Sequence, residues 1–234
     1  MENIILGIET STFQSGVALA EDGKVLIEHT VNLGPTYSSK LLLDVQYILS
    51  EAKISAKDLS GIGVSLGPGS FTGLRVGLSF AKGMTFSGNI PIIGVPTLDV
   101  LAFDFINHNA LICPIIDAKK EEVYSAFYIS NNERQIKKTD YLLLKYSELI
   151  KKAKKESNKK SFDKIIFTGE ITDTLKKLLL KHFSKKLFLH YTFPSPKNIA
   201  IMAAKKLSIN PKGDNADTLV PIYLRKPYAI PFNK

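Results

Sequence analysis

Two short turns in this chain carry residue types that could handle phosphate. Glu9-Thr10-Ser11-Thr12 closes an apolar run; small hydroxyls and backbone N–H groups in such a turn can cradle a phosphate while the carboxylate at the strand end handles a metal ion. Taken alone, the same string also reads as a bare hairpin turn. A nucleotide clamp needs an opposing half, and the matching turn is Asp117-Ala118-Lys119-Lys120-Glu121-Glu122. It has no glycine, serine or threonine, so its backbone cannot easily approach a phosphate, and its carboxylates would repel one. Glu9, Thr10, Ser11 and Asp117 therefore read as a degenerate nucleotide site.

A third stretch is more distinctive: Gly67-Pro68-Gly69-Ser70-Phe71-Thr72-Gly73-Leu74-Arg75. Glycine permits close approach, proline stiffens the turn, and Ser70 or Thr72 can cap a following helix. It could be no more than a well-made loop entering a helix. However, Gly73, Gly77 and Ala81 then fall four apart on one helical face, although an interior glycine costs roughly 0.5–1 kcal/mol relative to alanine. Some neighbour must come close there. Gly-Lys-Ser/Thr and GxGxxG spacings are both missing from it, so it is neither a P-loop nor a dinucleotide fingerprint. The four histidines, His29, His108, His182 and His190, show no ligand spacing, and no iron or zinc site is expected.

Composition narrows the class. The chain has 234 residues, 44% of them hydrophobic, which suffices for one large domain or two lobes. No apolar run approaches the roughly twenty residues of a bilayer span, and the start lacks the pattern of a secretory signal. The single cysteine, Cys113, excludes an internal disulfide, and a cytoplasmic location is expected. A formal charge of +9 invites a nucleic-acid partner, yet only Arg75, Arg134 and Arg225 are arginines, and the densest run, KKAKKESNKK at 151–160, has no aromatic residue. That run reads as a solvated helix end or loop, with a docking patch as the alternative.

The elements that must position these residues follow from periodicity. Strands are expected at 4–9, 17–20 and 24–31, a helix at 38–52, a strand at 62–66, a helix at 72–87, a strand at 91–95 and a helix near 98–105. The order then begins again, with strands at 111–117 and 122–129, a further strand, a basic helix around 147–155, a strand at 164–167 and a helix near 172–182. Two β-β-β-α-β-α lobes predict an α/β chain with the two-lobed, duplicated fold of actin-like ATPases and sugar kinases, each lobe ribonuclease-H-like. The lobes are expected at 1–106 and 107–207, with 208–234 returning to the first; residues 198–207 are apolar at helical spacing and could pack back on that lobe as well.

The strings ILGIETS, SLGPGSFTGLRVG, GVPTL, PIIDAKKEEVYSAFY and PIYLR together resemble the TsaB (YeaZ) family of bacterial tRNA threonylcarbamoyladenosine synthesis, over about the first 130 residues and again at Pro221–Arg225. Glu9 stands where many relatives carry aspartate, and Lys119 where arginine is usual. The resemblance implies a non-catalytic scaffold, an inactive paralogue of the transferase TsaD, which would bind TsaD as a heterodimer and have the ATPase TsaE as a further partner; an apolar helical face left without that partner predicts homodimers of the isolated chain. With half of the nucleotide clamp missing, no cofactor is expected, and any nucleotide is expected at the joint between partners; tRNA contact is expected to be indirect, with the lysine excess leaving direct contact open. The partner face it implies is built from the first two helices: Leu41, Leu42, Val45, Ile48 and Leu49, with Gly73, Val76, Gly77, Phe80, Ala81 and Met84. The apolar arc of the first helix is wider than one buried face requires, although both helices could also be consumed inside the lobe. An ATP-dependent kinase or ATPase is the alternative class, and a glycoprotease-like metallopeptidase the weakest.

Overall fold

The computed structural model describes residues 3–32, 40–131, 134–159, 162–183 and 186–225. The expected start of the first helix, at Ser38 and Ser39, and the last residues of the tail lie outside them. The first lobe opens with β1 (Ile4–Glu9), β2 (Ser15–Glu21) and β3 (Lys24–Val31), an antiparallel meander. Then come α1 (Leu41–Glu51), β4 (Gly61–Ser65), α2 (Phe71–Gly88), β5 (Ile92–Val95) and α3 (Thr97–Phe103). β4 and β5 pair in parallel, giving the order β3-β2-β1-β4-β5.

The second lobe repeats the plan. β6 (Asn109–Lys119) and β7 (Glu122–Ser125) form its hairpin, and β8 (Tyr128–Asn131), β9 (Gln135–Lys137) and β10 (Leu142–Lys145) follow. α4 (Tyr146–Ser157), β11 (Lys164–Gly169), α5 (Asp173–His182) and β12 (Leu187–Tyr191) complete it. Its main path, β10-β7-β6-β11-β12, matches the first sheet strand for strand, with β11 and β12 parallel to β6. This is the duplicated α/β architecture expected from the sequence. Two details differ. The run expected as one strand at 122–129 breaks at Ala126–Phe127, so that β7 and β8 pair with opposite ends of the long β6. Strand β12 has no counterpart in the sequence reading, because Leu-Phe-Leu-His-Tyr has no clean alternation of apolar and polar residues.

Helix α6 (Pro196–Ile209) corrects the expected lobe boundary. Its sequence falls within 107–207, yet it packs across β1, β2 and β4 of the first sheet, through Ile199, Ala200, Ala203 and Leu207. Glycines on the strands make this close approach feasible: a Cβ on Gly7 would lie 2.2 Å from the Pro196 carbonyl oxygen, and one on Gly63 2.8 Å from Ala203 Cβ. α1 and α2 cover the opposite face of that sheet, and α4 and α5 cover one face of the second. α3 lies between the lobes, with Val100 in the α6 cluster and Leu98, Leu101 and Ala102 against Ile112, Ile116 and Ile166. The chain beyond α6 returns to the first lobe as expected: Asp214 N donates to Ile92 O (2.8 Å) and Ile222 N to Leu66 O (2.7 Å).

Because backbone rather than a flexible side chain opposes Gly7, Gly7→Ala is expected to destabilise the chain by about 1–3 kcal/mol, the range for overpacked cores. Urea denaturation with an unchanged slope would report it; an unchanged midpoint would mean that α6 does not sit on β1.

Candidate functional site

The C-terminal ends of β1 and β4 bring the candidate residues together. β1 delivers Glu9, after which Thr10, Ser11 and Thr12 turn back into β2, and β4 ends at Ser65, leading through Gly67-Pro68-Gly69-Ser70 into α2. The two loops are bolted to each other. Ser70 N donates to Ser11 O (2.7 Å) and Thr10 N to Ser65 Oγ (3.3 Å), while Ser70 Oγ accepts from Gly73 N (3.2 Å) and caps α2. Gly67 N donates to Thr97 Oγ1 (3.1 Å), and Thr97 N returns a bond to Gly67 O (2.9 Å).

The close neighbour demanded by the glycine stripe is the turn after β1. A Cβ would lie 2.0 Å from Thr10 O if built on Gly73, and 2.2 Å from Thr10 Oγ1 if built on Gly77. Ala81, one turn further, is fully buried. The expectation that this stripe admits a neighbouring helix is thereby corrected: Thr10 already occupies it.

Glu9 is completely buried and accepts a short hydrogen bond from Ser11 N. Burial pushes its carboxyl up to about 8, against the lowering effect of the bonds to Ser11 and Ser65. At neutral pH it is therefore mostly protonated, a poor ligand for a hard cation. Glu9 Oε2, Thr10 Oγ1 and Ser11 Oγ are buried without a hydrogen-bond partner among the described residues.

Across an inter-lobe cleft of about 400 Å³, Thr10, Ser11, Ser70 and Thr72 face Asp117, Lys119, Tyr124 and Glu170. Sequence reasoning missed Glu170; its only sequence signal is its place just after the second-lobe strand that corresponds to β4. Burial foremost, with the Asp117 charge adding to it, raises its carboxyl above the usual range, and Glu170 Oε2 accepts from Asp117 N (3.2 Å). Lys119 is committed to Asp117 through Nζ–Oδ2 (2.5 Å) and N–Oδ1 (2.9 Å). The turn has no glycine, yet Lys119, Lys120 and Glu121 take φ values of 64°, 54° and 57°. Each such residue costs on the order of 1 kcal/mol. Arg225 offsets part of this from the returning tail, donating from Nη1 to Ala118 O (3.0 Å) and from Nη2 to Glu122. Two residues earlier, Tyr223 OH accepts from Arg75 Nε (3.0 Å), and the Arg75 guanidinium lies 3.7 Å from the Phe71 ring centroid. The tail thus ties the start of α2 to the second-lobe turn. Chemically, the cleft offers hydroxyls and a helix N-terminus on one side and, on the other, Glu170 with an Asp117 carboxylate already paired to Lys119.

The expected partner face divides. Leu41, Val45, Ile48 and Leu49 fill the first-lobe core and cannot form an outer surface, which corrects their assignment. The cause is that the apolar arc of α1 spans two directions, and the sheet takes one of them. Leu42 is 53% exposed, and Leu43 (60%) and Tyr47 (50%) continue its strip. On α2, Val76, Phe80 and Met84 are half-buried, whereas Gly77 and Ala81 are buried. Among the described residues no three His, Cys, Asp or Glu side chains converge as a metal site, and no helix is long and apolar enough to cross a membrane.

Comparison with known proteins agrees with this architecture. Residues 34–230 match the family model described as TsaD: tRNA N6-adenosine threonylcarbamoyltransferase. The chain is similar to the tRNA threonylcarbamoyladenosine biosynthesis protein TsaB of Bacillus subtilis, 30% identical over 94% of this chain and 93% of the relative. Among solved structures, YeaZ from Pseudomonas aeruginosa superposes with a TM-score of 0.75 at 22% identity, covering 95% of this chain and all of that one. The ADPNP-bound activator of 2-hydroxyisocaproyl-CoA dehydratase from Clostridium difficile shares the fold at 8% identity (TM-score 0.53, covering 92% of this chain and 99% of that one). The two lobes have the fold of actin-like ATPases and sugar kinases.

A buried carboxyl with a raised value destabilises the folded state as pH rises, since the unfolded chain ionises first. Between pH 4.5 and about 8, Glu9 therefore subtracts up to about 1.4 kcal/mol of stability per pH unit, and Glu9→Gln removes that slope. Melting temperatures of the parent should fall across this window more steeply than those of the variant; parallel curves would show that Glu9 is ionised in the fold.

Proposed function

We propose, from the premise that the chain belongs to the TsaB family of tRNA threonylcarbamoyladenosine biosynthesis proteins, that it is a non-catalytic partner supporting a TsaD-like transferase. The role in forming threonylcarbamoyladenosine in tRNA comes with the family; the scaffold role is our reading. One observation carries it: opposite the N-terminus of α2 the cleft presents Glu170 and an Asp117–Lys119 ion pair on a turn without glycine, serine or threonine, while the carboxyl at the end of β1 is buried and mostly neutral. Such a cleft is poorly built to activate a phosphate donor or hold its metal, so no nucleotide cofactor is assigned to this chain alone. The useful surface is then the exposed strip Leu42, Leu43 and Tyr47 of α1, with the half-buried Val76, Phe80 and Met84 of α2 on the same side of the sheet. An apolar strip of this kind suits a helical bundle with the partner transferase, or a homodimer when the chain is alone. A TsaE-like ATPase would join that assembly, which we place in the cytoplasm.

A second reading, an ATP-dependent kinase or ATPase, is favoured by one feature, the unpartnered buried hydroxyls of Thr10 and Ser11 beside α2. It requires ATP turnover by the purified chain and micromolar affinity by calorimetry.

Reconstitution separates the two. The chain alone should turn over nothing, yet be required for threonylcarbamoyl transfer when transferase, ATPase and the threonylcarbamoyl adenylate are supplied; full transfer without it would refute the scaffold role. Leu43→Asp, at a 60% exposed site, should keep the parent melting temperature and lower co-purification with the transferase at least tenfold. Undiminished co-purification would move the interface elsewhere.

A further inference from the structure

The chain after α6 passes from one wall of the inter-lobe cleft to the other within two residues. Ile222 N donates to Leu66 O (2.7 Å), which fixes the approaching chain beside the loop that leads into α2. Tyr223 then packs on the start of α2: its hydroxyl accepts from Arg75 Nε (3.0 Å), its ring centroid lies 5.2 Å from that of Phe71, and the Arg75 guanidinium covers the Phe71 ring. Arg225 reaches the opposite side, donating from Nη1 to Ala118 O (3.0 Å) and from Nη2 to Glu122 at the β6–β7 turn. Gly73 and Val76 line the cleft beside the first anchor, and Ala118 lines it at the second.

A chain extends at most about 3.6 Å per residue, so the Tyr223 and Arg225 Cα atoms stay within about 7 Å of each other in any conformation. While both side chains keep their partners, the rims of the cleft can separate only as far as those side chains swing. α3 sets no such limit. It packs on the first lobe through Val100 and on the second through Leu98, Leu101 and Ala102, and apolar packing of one short helix is compatible with rotation about it. The Arg225 clasp is directional: a charge-assisted pair to Glu122, with both side chains about three-quarters covered, plus a carbonyl bond from the same guanidinium. Its target is the turn in which Lys119, Lys120 and Glu121 take left-handed φ values, a conformation that persists only where neighbours hold it.

We propose that Tyr223–Arg225 is a strap that locks the two lobes at one separation, with Arg75–Tyr223 as the first-lobe clasp and Arg225–Glu122 as the second. A ligand gripped by two opposing turns ties lobes together only while it is bound. A strap that belongs to the chain does so at all times, because its clasp closes as an intramolecular event at high effective concentration. The consequence is one rigid body whose outer faces keep a fixed relative orientation with no ligand in the cleft. The lock stands on the strap alone, so its failure would leave the scaffold reading intact, and failure of the scaffold reading would leave the lock.

Double electron–electron resonance on the full chain tests this, with spin labels at S79C on α2 and T174C on α5, both exposed sites; Cys113 is fully buried. The parent should give one narrow distance. R225A and E122A should each add a longer-distance population, and R225A–E122A should open no further than R225A, as two ends of one clasp require. R225K, which keeps the charge without the fork, should fall between parent and R225A. Amide exchange over residues 118–122 should rise about 10- to 100-fold in R225A, the range for a lost hydrogen bond to a charged group, while β4 amides exchange at the parent rate. Magnesium ATP should leave the parent distance unchanged. A parent-like distribution in both R225A and E122A, a broad distribution already present in the parent, or closure of the parent by magnesium ATP would each overturn the lock. E122A cuts the clasp from the other lobe, so a folding defect in R225A still leaves a deciding variant.

Discussion

The rest of the first lobe is arranged around one contact: the turn after β1 presses so closely on the start of α2 that no side chain fits between them. Thr10 lies against Gly73 and Gly77, and Ser11 O receives Ser70 N at the mouth of the helix. Holding two loops at backbone distance excludes water from what lies beneath. Glu9 is what lies beneath, and exclusion from water is what raises its carboxyl. The same contact fixes the N-terminus of α2 at the rim of the cleft and faces Phe71, Thr72 and Arg75 outward. There Arg75 and Phe71 meet Tyr223 of the returning tail.

The second lobe repeats the strand order without repeating this device. Where the first lobe turns from β1 to β2 through Thr10, Ser11 and Thr12, the second places Lys119, Lys120 and Glu121 in left-handed conformations and relies on Arg225 and Tyr146 N to satisfy the turn's carbonyls. One half of the duplication keeps hydroxyls and a helix N-terminus at the cleft, and the other supplies carboxylates and a strained turn. Arg225 reaches that turn from a tail anchored on the first lobe, so the lobes are joined by the protein's own chain as well as through α3.

Much of this was legible in the sequence, because it depends on local patterns. The meander at the start, the amphipathic α1, the capped glycine-rich entry into α2 and the second run of the same element order are written in period, turn residues and spacing, and they sufficed for the duplicated α/β fold. The need for a close neighbour at Gly73 and Gly77 was equally visible, since glycine in a helix is costly without one. Which neighbour it would be was decided only by the tertiary structure: Thr10, more than sixty residues earlier, took the place expected for a second helix. Periodicity likewise showed that the apolar arc of α1 was too wide for one face, but only packing decided that Leu41, Val45, Ile48 and Leu49 go inward and Leu42, Leu43 and Tyr47 stay out. α6 joined the first sheet rather than the lobe it follows because Gly7 and Gly63 admit it there. β12 escaped notice because a short edge strand draws its identity from pairing with β11, a partner that a one-dimensional pattern does not contain.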